Sequence, residues 1–432
     1  MICNNLSVNE KGHLAFAGQD TVELAKEYKT PLYLIDEDRI RYNCRVYVNA
    51  FSKYFSNGSY PIYAGKANCF KRIYEIIKEE GMGCDVVSLG EMYTAIKAGF
   101  PLEKAFFHSN NKTDDDIDFA IEHKIGHFVV DSKDELLAIN EIAAKHCVKQ
   151  KILLRITPGI DPHTYEAVNT GKVDSKFGSA IQTGQAQEIT GVALKLENIV
   201  LDGFHCHVGS QVFDSDTFIR SADIMLRFIR DMKEKYGYVA PILNLGGGYG
   251  VRYTENDPVI DIDKNISLVS GKINEMCEKY AIDLPKIVME PGRSIVADAG
   301  LTLYTVGSIK RIPEYKNYVS IDGGMTDNPR YALYGSTYTA FVANKMNEEK
   351  DFCASIVGRC CESGDIIQEN VPLPSTVQRG DTIAVLTTGA YNYSMSSNYN
   401  RLPKPPIVAL SNGESRVVVK RETLEDIIRN DI

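Results

Sequence analysis

Pro61-Ile62-Tyr63-Ala64-Gly65-Lys66-Ala67-Asn68 is a short apolar run that ends on a glycine and a single lysine. Residues 70 to 80, directly after it, place apolar side chains at helical spacing. A strand, a short loop and a helix make one βα unit. The alternation continues to about residue 295, and eight strand-like runs can be counted: near Pro61 to Gly65, Cys84 to Ser88, Ala105 to His108, His127 to Asp131, Lys151 to Ile156, Val200 to His207, Ile242 to Gly246 and Lys286 to Glu290. Helix patterns such as Phe70 to Glu80, Glu91 to Ala98, Lys133 to His146 and Asp216 to Tyr236 separate them, mostly with polar or acidic starts.

Eight consecutive units favour a closed (β/α)8, TIM-like barrel, with an open doubly wound sheet as the alternative. The barrel demands that chemistry lie just after the strands, in the βα loops. The unusual residues do lie there. Lys66 follows the first strand, Ser109-Asn110-Asn111-Lys112 the third, His207-Val208-Gly209-Ser210 the sixth, Gly246-Gly247-Gly248 the seventh and Glu290-Pro291-Gly292-Arg293 the eighth. Beyond Ile295 short strand-like pieces separated by turn residues take over: Leu301 to Ile309, Tyr318 to Ile321, Ala354 to Val357, Thr382 to Leu386 and Ser415 to Val419. The expected organisation is a barrel over residues 37–295 and a second, mostly β, sandwich-like domain made of 1–36 (with Leu14 to Phe16 and Leu32 to Ile35) and 296–432, contributing to the same active site.

At 432 residues the chain is long enough for one large and one smaller domain, each with its own core. Its 57 acidic residues outweigh 48 basic ones, and no Lys/Arg run offers a phosphate-backbone footprint, so nucleic acid is not an expected partner. The ten cysteines show no C-x-x-C spacing and the chain opens Met1-Ile2-Cys3-Asn4-Asn5, which reads as reduced thiols in the cytoplasm. No apolar run approaches the roughly 20 residues a membrane helix requires.

A lysine delivered to a cavity in apolar surroundings has a lowered pKa, and its neutral amine can form a Schiff base with an aldehyde; alone, such a lysine reads as a solvated face. The glycine run at 246–248 lets backbone N–H groups approach a phosphate, although a tight turn needs the same residues. His205 and His207 alternate to one face of the sixth strand. They suit a metal, a packed core or contact with a ligand ring, and no nearby H-x-x-x-H or C-x-x-C completes a metal set. Glu290 and Arg293 flank Pro291-Gly292 and can aim an acid and a base into one cavity or form a strand-end ion pair. A carboxylate at the ring nitrogen of a pyridoxal cofactor strengthens that ring as an electron sink, and an arginine can clamp a carboxylate. In Cys360-Cys361-Glu362-Ser363-Gly364-Asp365 a thiol can act as general acid and a carboxylate can bind an ammonium group; a structural thiol is the plainer reading. Arg330-Tyr331-Ala332-Leu333-Tyr334 and Gly389-Ala390-Tyr391 add a guanidinium and phenols of the kind that bind acids and phosphates.

Taken in order, these segments resemble the diaminopimelate decarboxylase family, in the alanine-racemase-like, fold type III group of pyridoxal-phosphate enzymes. The resemblance runs over most of the chain and includes Arg-Ile-Thr-Pro-Gly-Ile-Asp from Arg155 and Asp-Ser-Lys-Phe-Gly from Asp174. It implies that Lys66 holds pyridoxal 5'-phosphate covalently, His207 stacks on its ring and Glu290 meets the ring nitrogen. Ser210, Gly246, Gly247, Gly248 and Tyr391 would hold the phosphate, with Arg293 also at the cofactor. Arg293, Arg330 and Tyr334 would bind substrate carboxylate with Tyr391 near, Cys361 would donate the proton and Glu362 would read the distal amine. It further implies a homodimer with shared active sites, and decarboxylation of meso-2,6-diaminopimelate to L-lysine and CO2. The chain departs from the family at Leu89, where glycine is usual, at Tyr331, where proline is usual, and in having Cys360 beside Cys361. Rival readings are a decarboxylase of ornithine, arginine or a carboxylated polyamine, an amino-acid racemase, and a non-enzymatic pyridoxal carrier.

Overall fold

The computed structural model describes residues 1–159, 175–207 and 209–432. They form two units: Asn43–Gly250 with Val259–Gly292, and Met1–Tyr42 with Val251–Pro258 and Arg293–Ile432. The short segment Val251–Pro258, inside the span that the sequence assigned to the barrel, groups with the β-rich unit.

The first unit is a barrel of eight parallel strands: β1 (Tyr60–Ala64), β2 (Gly83–Val86), β3 (Ala105–Phe107), β4 (His127–Val130), β5 (Gln150–Thr157), β6 (Ile199–His205), β7 (Ile242–Asn244) and β8 (Lys286–Met289). Each pairs with the next, and β8 closes on β1 through Val288↔Tyr60 and Met289↔Pro61, which rules out the open sheet. Several strands stop before the residues expected to end them. At β7 the Asn244 side chain accepts the Gly246 N–H at 2.9 Å, and this turn ends the ladder before the glycine run. Helices start where a side chain can take an orphan amide: Ser88 and Ser132 accept from the residue three positions on, and Thr113 and Asp116 form a reciprocal capping box.

Ile62, Phe106, Val129, Leu153, Ile242 and Val288 form one buried cluster. They come from six strands on different sides of the ring, and only the barrel interior brings such strands together.

The second unit is mostly β. Its central strand β9 (Gly300–Ile312) pairs through Gly300–Leu303 with Leu32–Asp36 and through Leu301–Thr305 with β14 (Thr382–Leu386); from Val306 on it pairs with β10 (Lys316–Ile321). Beyond β10 lie β12 (Phe352–Val357) and β13 (Ile366–Leu373), beyond Leu32–Asp36 lie β15 (Ile407–Ser411) and β16 (Glu414–Val419), and β11 (Ala340–Val342) adds to β14. Side chains alternate along β9: Leu301 and Leu303 join one buried cluster with Leu32 and Leu34, whereas Tyr304 and Val306 join another with Ile356 and Val385. Both faces of the strand are therefore covered, as a sandwich-like arrangement requires.

Leu153 is fully buried in the barrel cluster. Leu153→Ala should destabilise the fold by about 2–5 kcal/mol, read from the denaturant midpoint at unchanged slope; a shift below about 1 kcal/mol would contradict this packing.

Candidate active site

Lys66 sits in a single 3-10 turn, Gly65–Ala67, immediately after β1. The turn is pinned from two sides: Ala64 N–H donates to Pro291 C=O at 3.0 Å, and Gly65 N–H donates to Asp85 Oδ1 at 2.7 Å. A Cβ at Gly65 would lie 2.7 Å from the Asp85 carbonyl and 2.9 Å from the Tyr74 hydroxyl, so glycine is required before the lysine. The side chain of Lys66 is exposed at the barrel mouth, and the fields of Lys66 and of the carboxylates Asp85 and Glu91 overlap there. This corrects the expectation of an apolar surround. Burial, with Glu290 adding to it, pushes Asp85 up to about 6, and burial together with Asp85 pushes Glu91 up to about 7. Glu91 also accepts the Val87 N–H at 2.8 Å, while Ser88 caps the following helix through Glu91 N–H. Leu89 falls on the exposed first turn of that helix, where nothing requires the glycine usual in the family.

Glu290, just beyond β8, is buried at 7% exposure with three donors converging on it. His108 Nε2 and Asn244 Nδ2 both lie on Oε1, at 2.8 and 2.7 Å, and His205 Nε2 approaches Oε2 at 3.4 Å. Burial alone would raise this carboxyl, but His108 and His205 hold it well below the usual carboxylate range. Burial lowers His205 to about 4, so its ring is neutral; because a carboxylate only accepts, the proton is on Nε2. His108 is the third possible metal ligand that the sequence did not supply, and its nitrogen, that of His205 and a Glu290 oxygen lie within 4.8 Å of one another. The Asn244 amide aims a donor at Oε1, which suits an anion and not a cation. Among the described residues His205 Nδ1 has no hydrogen-bond partner, whereas metal-bound histidines normally donate their other ring nitrogen. The arrangement is that of a held carboxylate.

Each glycine of 246–248 is demanded by crowding between loops. A Cβ would lie 2.6 Å from the Cys206 carbonyl at Gly246, 2.0 Å from the Glu290 carbonyl at Gly247 and 2.3 Å from the Gly209 carbonyl at Gly248, and Gly246 and Gly248 have φ of +69° and +118°. The N–H groups of Gly246 and Gly247 serve Asn244 Oδ1 and, at 3.3 Å, His207 Nδ1. Gly248 N–H donates to none of the described residues, so in this run it is the amide open to a phosphate. The bond from Gly247 also fixes His207 as a neutral Nε2–H ring, and burial next to Lys66 and Arg155 pushes its pKa well below the ordinary imidazole value. Val212 N–H to Gly248 C=O and Gly250 N–H to Val212 C=O, both 2.9 Å, zip the loop carrying Ser210 to the glycine run.

Arg293 belongs to the β-rich unit and Glu290 to the barrel. Within the β-rich unit, Arg293 Nη1 donates to the Tyr253 hydroxyl at 2.6 Å, and the guanidinium groups of Arg293 and Arg330 lie 4.8 and 5.2 Å from the centre of the Tyr391 ring. Tyr334 lies 5.0 Å from Arg330. Two buried cations share one aromatic ring, an arrangement made for an anion. Tyr331, where the family usually has proline, donates to Glu369 at 2.7 Å and ties the short helix Arg330–Tyr334 to β13. In the cysteine loop, Asp365 accepts N–H groups from Cys360 and Met325 at 2.7 and 2.6 Å. Burial and Asp365 push the Cys360 thiol up to about 12, whereas Cys361 and Glu362 are exposed. That separates the two cysteines: Cys360 is built into the loop and Cys361 is presented by it.

The sequence reading missed Asp85, Glu91, His108, Asn244 and Tyr253. His108 and Asn244 lay within runs read as strand, and their one signal was a polar residue at the end of an otherwise apolar strand. Val208, and residues 160–161 and 174 of the two further segments similar to the family, lie outside the described residues.

Folding favours the protonated forms of Asp85 and Glu91, whose values are about 6 and about 7 in the folded chain against about 4 unfolded. The stability they confer is complete below about pH 4 and is lost as pH rises through those folded values. Glu91→Gln should therefore lose less stability than wild type between about pH 4.5 and pH 7.5, measured as urea midpoints. Superimposable pH curves for the two proteins would contradict the assignment.

The family described as pyridoxal-dependent decarboxylase, pyridoxal binding domain, matches residues 38–297. The chain is 44% identical to diaminopimelate decarboxylase of Bacillus subtilis (strain 168), over 98% of this chain and 96% of that protein. It is 45% identical to the Bacillus methanolicus enzyme of the same name over 96% of each. The crystal structure of diaminopimelate decarboxylase from M. jannaschii in complex with L-lysine superposes with a TM-score of 0.92 at 34% identity, covering 100% of this chain and 98% of that one. This chain therefore belongs to the diaminopimelate decarboxylase family of pyridoxal-phosphate-dependent carboxy-lyases.

Proposed function

We propose that the residues at the barrel mouth carry out the pyridoxal-phosphate-dependent decarboxylation of meso-2,6-diaminopimelate to L-lysine and CO2, the last step of lysine biosynthesis. The observation that carries this reading is the Glu290 carboxylate, buried, ionised and saturated with donors on one oxygen only, beside loops that hold Lys66 and a neutral His207. The residues fit the cofactor: an anion for a protonated ring nitrogen, a neutral imidazole for a ring face, an amine for an aldehyde and the Gly248 amide for a phosphate. When bound, pyridoxal phosphate supplies the aldehyde that captures amines and an electron-poor ring that takes up the electron pair left by departing CO2.

The chain's own residues do the rest. Lys66 would hold the cofactor covalently through its amine. Ser210, Gly246, Gly247, Gly248 and Tyr391 hold the phosphate, the first two amides of the glycine run acting through the loops they fix. Arg293, Arg330 and Tyr334 bind substrate carboxylate, a role supported by the two guanidinium groups that share the Tyr391 ring. Cys361 delivers a proton to the carbon that has lost CO2, and Glu362 binds the distal ammonium group. Both lie on an exposed loop, which supports a homodimer in which they serve the partner's site. All ten cysteines are free thiols, in keeping with a reducing cytoplasm, and no helix among the described residues is long and apolar enough to cross a membrane.

The test is CO2 release by the cofactor-loaded protein from meso-diaminopimelate, with ornithine, arginine and carboxynorspermidine in parallel. Lysine and CO2 in equal amounts from diaminopimelate alone are expected. CO2 from one of the other substrates moves the protein to that rival, and interconversion of stereoisomers without CO2 identifies a racemase. Lys66→Ala should lose turnover altogether; full activity in that variant would sink the assignment of the lysine.

A further inference from the structure

The donors around Glu290 are distributed unevenly. Among the described residues, Oε1 receives His108 Nε2 at 2.8 Å and Asn244 Nδ2 at 2.7 Å, and Oε2 receives only the 3.4 Å approach of His205. A carboxylate oxygen accepts two hydrogen bonds comfortably, so Oε1 is filled and Oε2 retains capacity. The orientation of Asn244 is dictated, not chosen. Its Oδ1 accepts the Gly246 N–H at 2.9 Å, and an amide whose oxygen is committed to a donor must turn its nitrogen the other way, onto Glu290. His108 is placed by its own backbone, whose N–H donates to Val86 C=O at 2.8 Å, and by its ring edge against His205, with centroids 4.8 Å apart at 71°. Asn244 is fully buried and His108 nearly so, so neither is there for solubility.

We infer that His108 and Asn244 are positioning residues that fill one oxygen of Glu290 and turn the other toward the nitrogen of the cofactor ring. This rests on the reading that Glu290 meets that nitrogen, and it assigns the task of orienting Glu290 to a loop residue after β3 and a residue at the end of β7. Among the described residues, further charged or titratable groups whose fields reach this carboxylate are Asp85, which shares its surroundings and opposes its ionisation, Arg155 on β5, and Cys206 and His207 just after β6. Arg155 is the one permanent cation among them, and no hydrogen bond joins it to Glu290 among the described residues. Removing His108 takes away the largest influence that holds Glu290 below the usual carboxylate range and leaves Asn244, His205 and Arg155 to oppose burial and Asp85, both of which favour protonation.

The experiment uses the full chain with pyridoxal phosphate as the probe and measures the cofactor dissociation constant between about pH 6 and pH 8.5, together with kcat and KM. A hydrogen bond to a charged group contributes about 1.5–3 kcal/mol, so His108→Leu should weaken cofactor binding roughly 10- to 100-fold. The loss should grow as pH falls, because a Glu290 short of a donor regains a proton in that range and no longer pairs with a protonated ring nitrogen. His108→Gln, which keeps an N–H donor of similar reach, should recover most of the affinity and the flat pH profile. His108→Asn, with a shorter reach, should not, and this pair gives the same reading if the leucine variant does not fold. In the loaded enzyme kcat should fall with KM for substrate nearly unchanged. A folded His108→Leu protein with wild-type affinity and pH profile would overturn the inference, as would a glutamine variant no better than the leucine one. If the wild-type chain binds the cofactor but decarboxylates nothing, the functional reading fails while the comparison of variants still decides the role of His108.

Discussion

A buried carboxylate is the constraint on which the barrel mouth depends. Taking Glu290 out of water opposes its ionisation, and only hydrogen-bond donors placed at short range reverse that. Those donors come from different parts of the ring: His108 from the loop after β3, His205 from β6 and Asn244 from β7, with Glu290 itself beyond β8. One side chain thus ties together the ends of four strands, and their register has to be right for it to exist as an anion. The barrel's closure and the chemistry of its mouth are in this sense one requirement.

The glycines follow from the same crowding. Loops that converge on Glu290 pass within contact distance of one another, so Gly246, Gly247 and Gly248 meet the backbone carbonyls of Cys206, Glu290 and Gly209 at 2.0 to 2.6 Å from where a Cβ would stand. The amides of Gly246 and Gly247 then become internal struts, one orienting Asn244 and the other setting the tautomer of His207. A glycine run that reads as a phosphate cradle is in the larger part a packing device that makes the rest of the site fit. Gly65 and Gly292 play the same part on either side of the Lys66 turn, where a Cβ on Gly292 would lie 2.7 Å from the Cβ of Ala64.

The barrel was legible because a repeated βα period is a strong pattern and because loop residues with special chemistry stood after five of the eight strands. Strand ends were misjudged where a side chain and not the ladder ends the strand, as Asn244 does at β7. In the β-rich unit, Ala340–Val342 and Ile407–Ser411 escaped notice because they pair with Thr382–Leu386 and Leu32–Asp36, distant in sequence, and Ile366–Leu373, which pairs with neighbouring Phe352–Val357, because Gln368, Glu369 and Asn370 interrupt its apolar run. The helix Glu37–Tyr54 also went unread, although Asp36 accepts the Arg39 N–H at 2.9 Å and marks its start. Lys66, His207 and Glu290 were visible because each stands in a segment that resembles the family. His108, Asn244, Asp85 and Tyr253 were not, since their roles come from partners far away in the chain, such as Glu290 for His108 and Arg293 for Tyr253.

The most direct test of this account is the protonation state of the cofactor's ring nitrogen in the wild-type protein, read from the nitrogen-15 chemical shift of pyridoxal phosphate labelled at that atom. An ionised Glu290 held from one side predicts a protonated pyridinium shift that stays constant from about pH 6 to pH 8.5. A shift characteristic of unprotonated pyridine across that range would mean that Glu290 does not meet the ring nitrogen as an anion, and the central claim would be wrong.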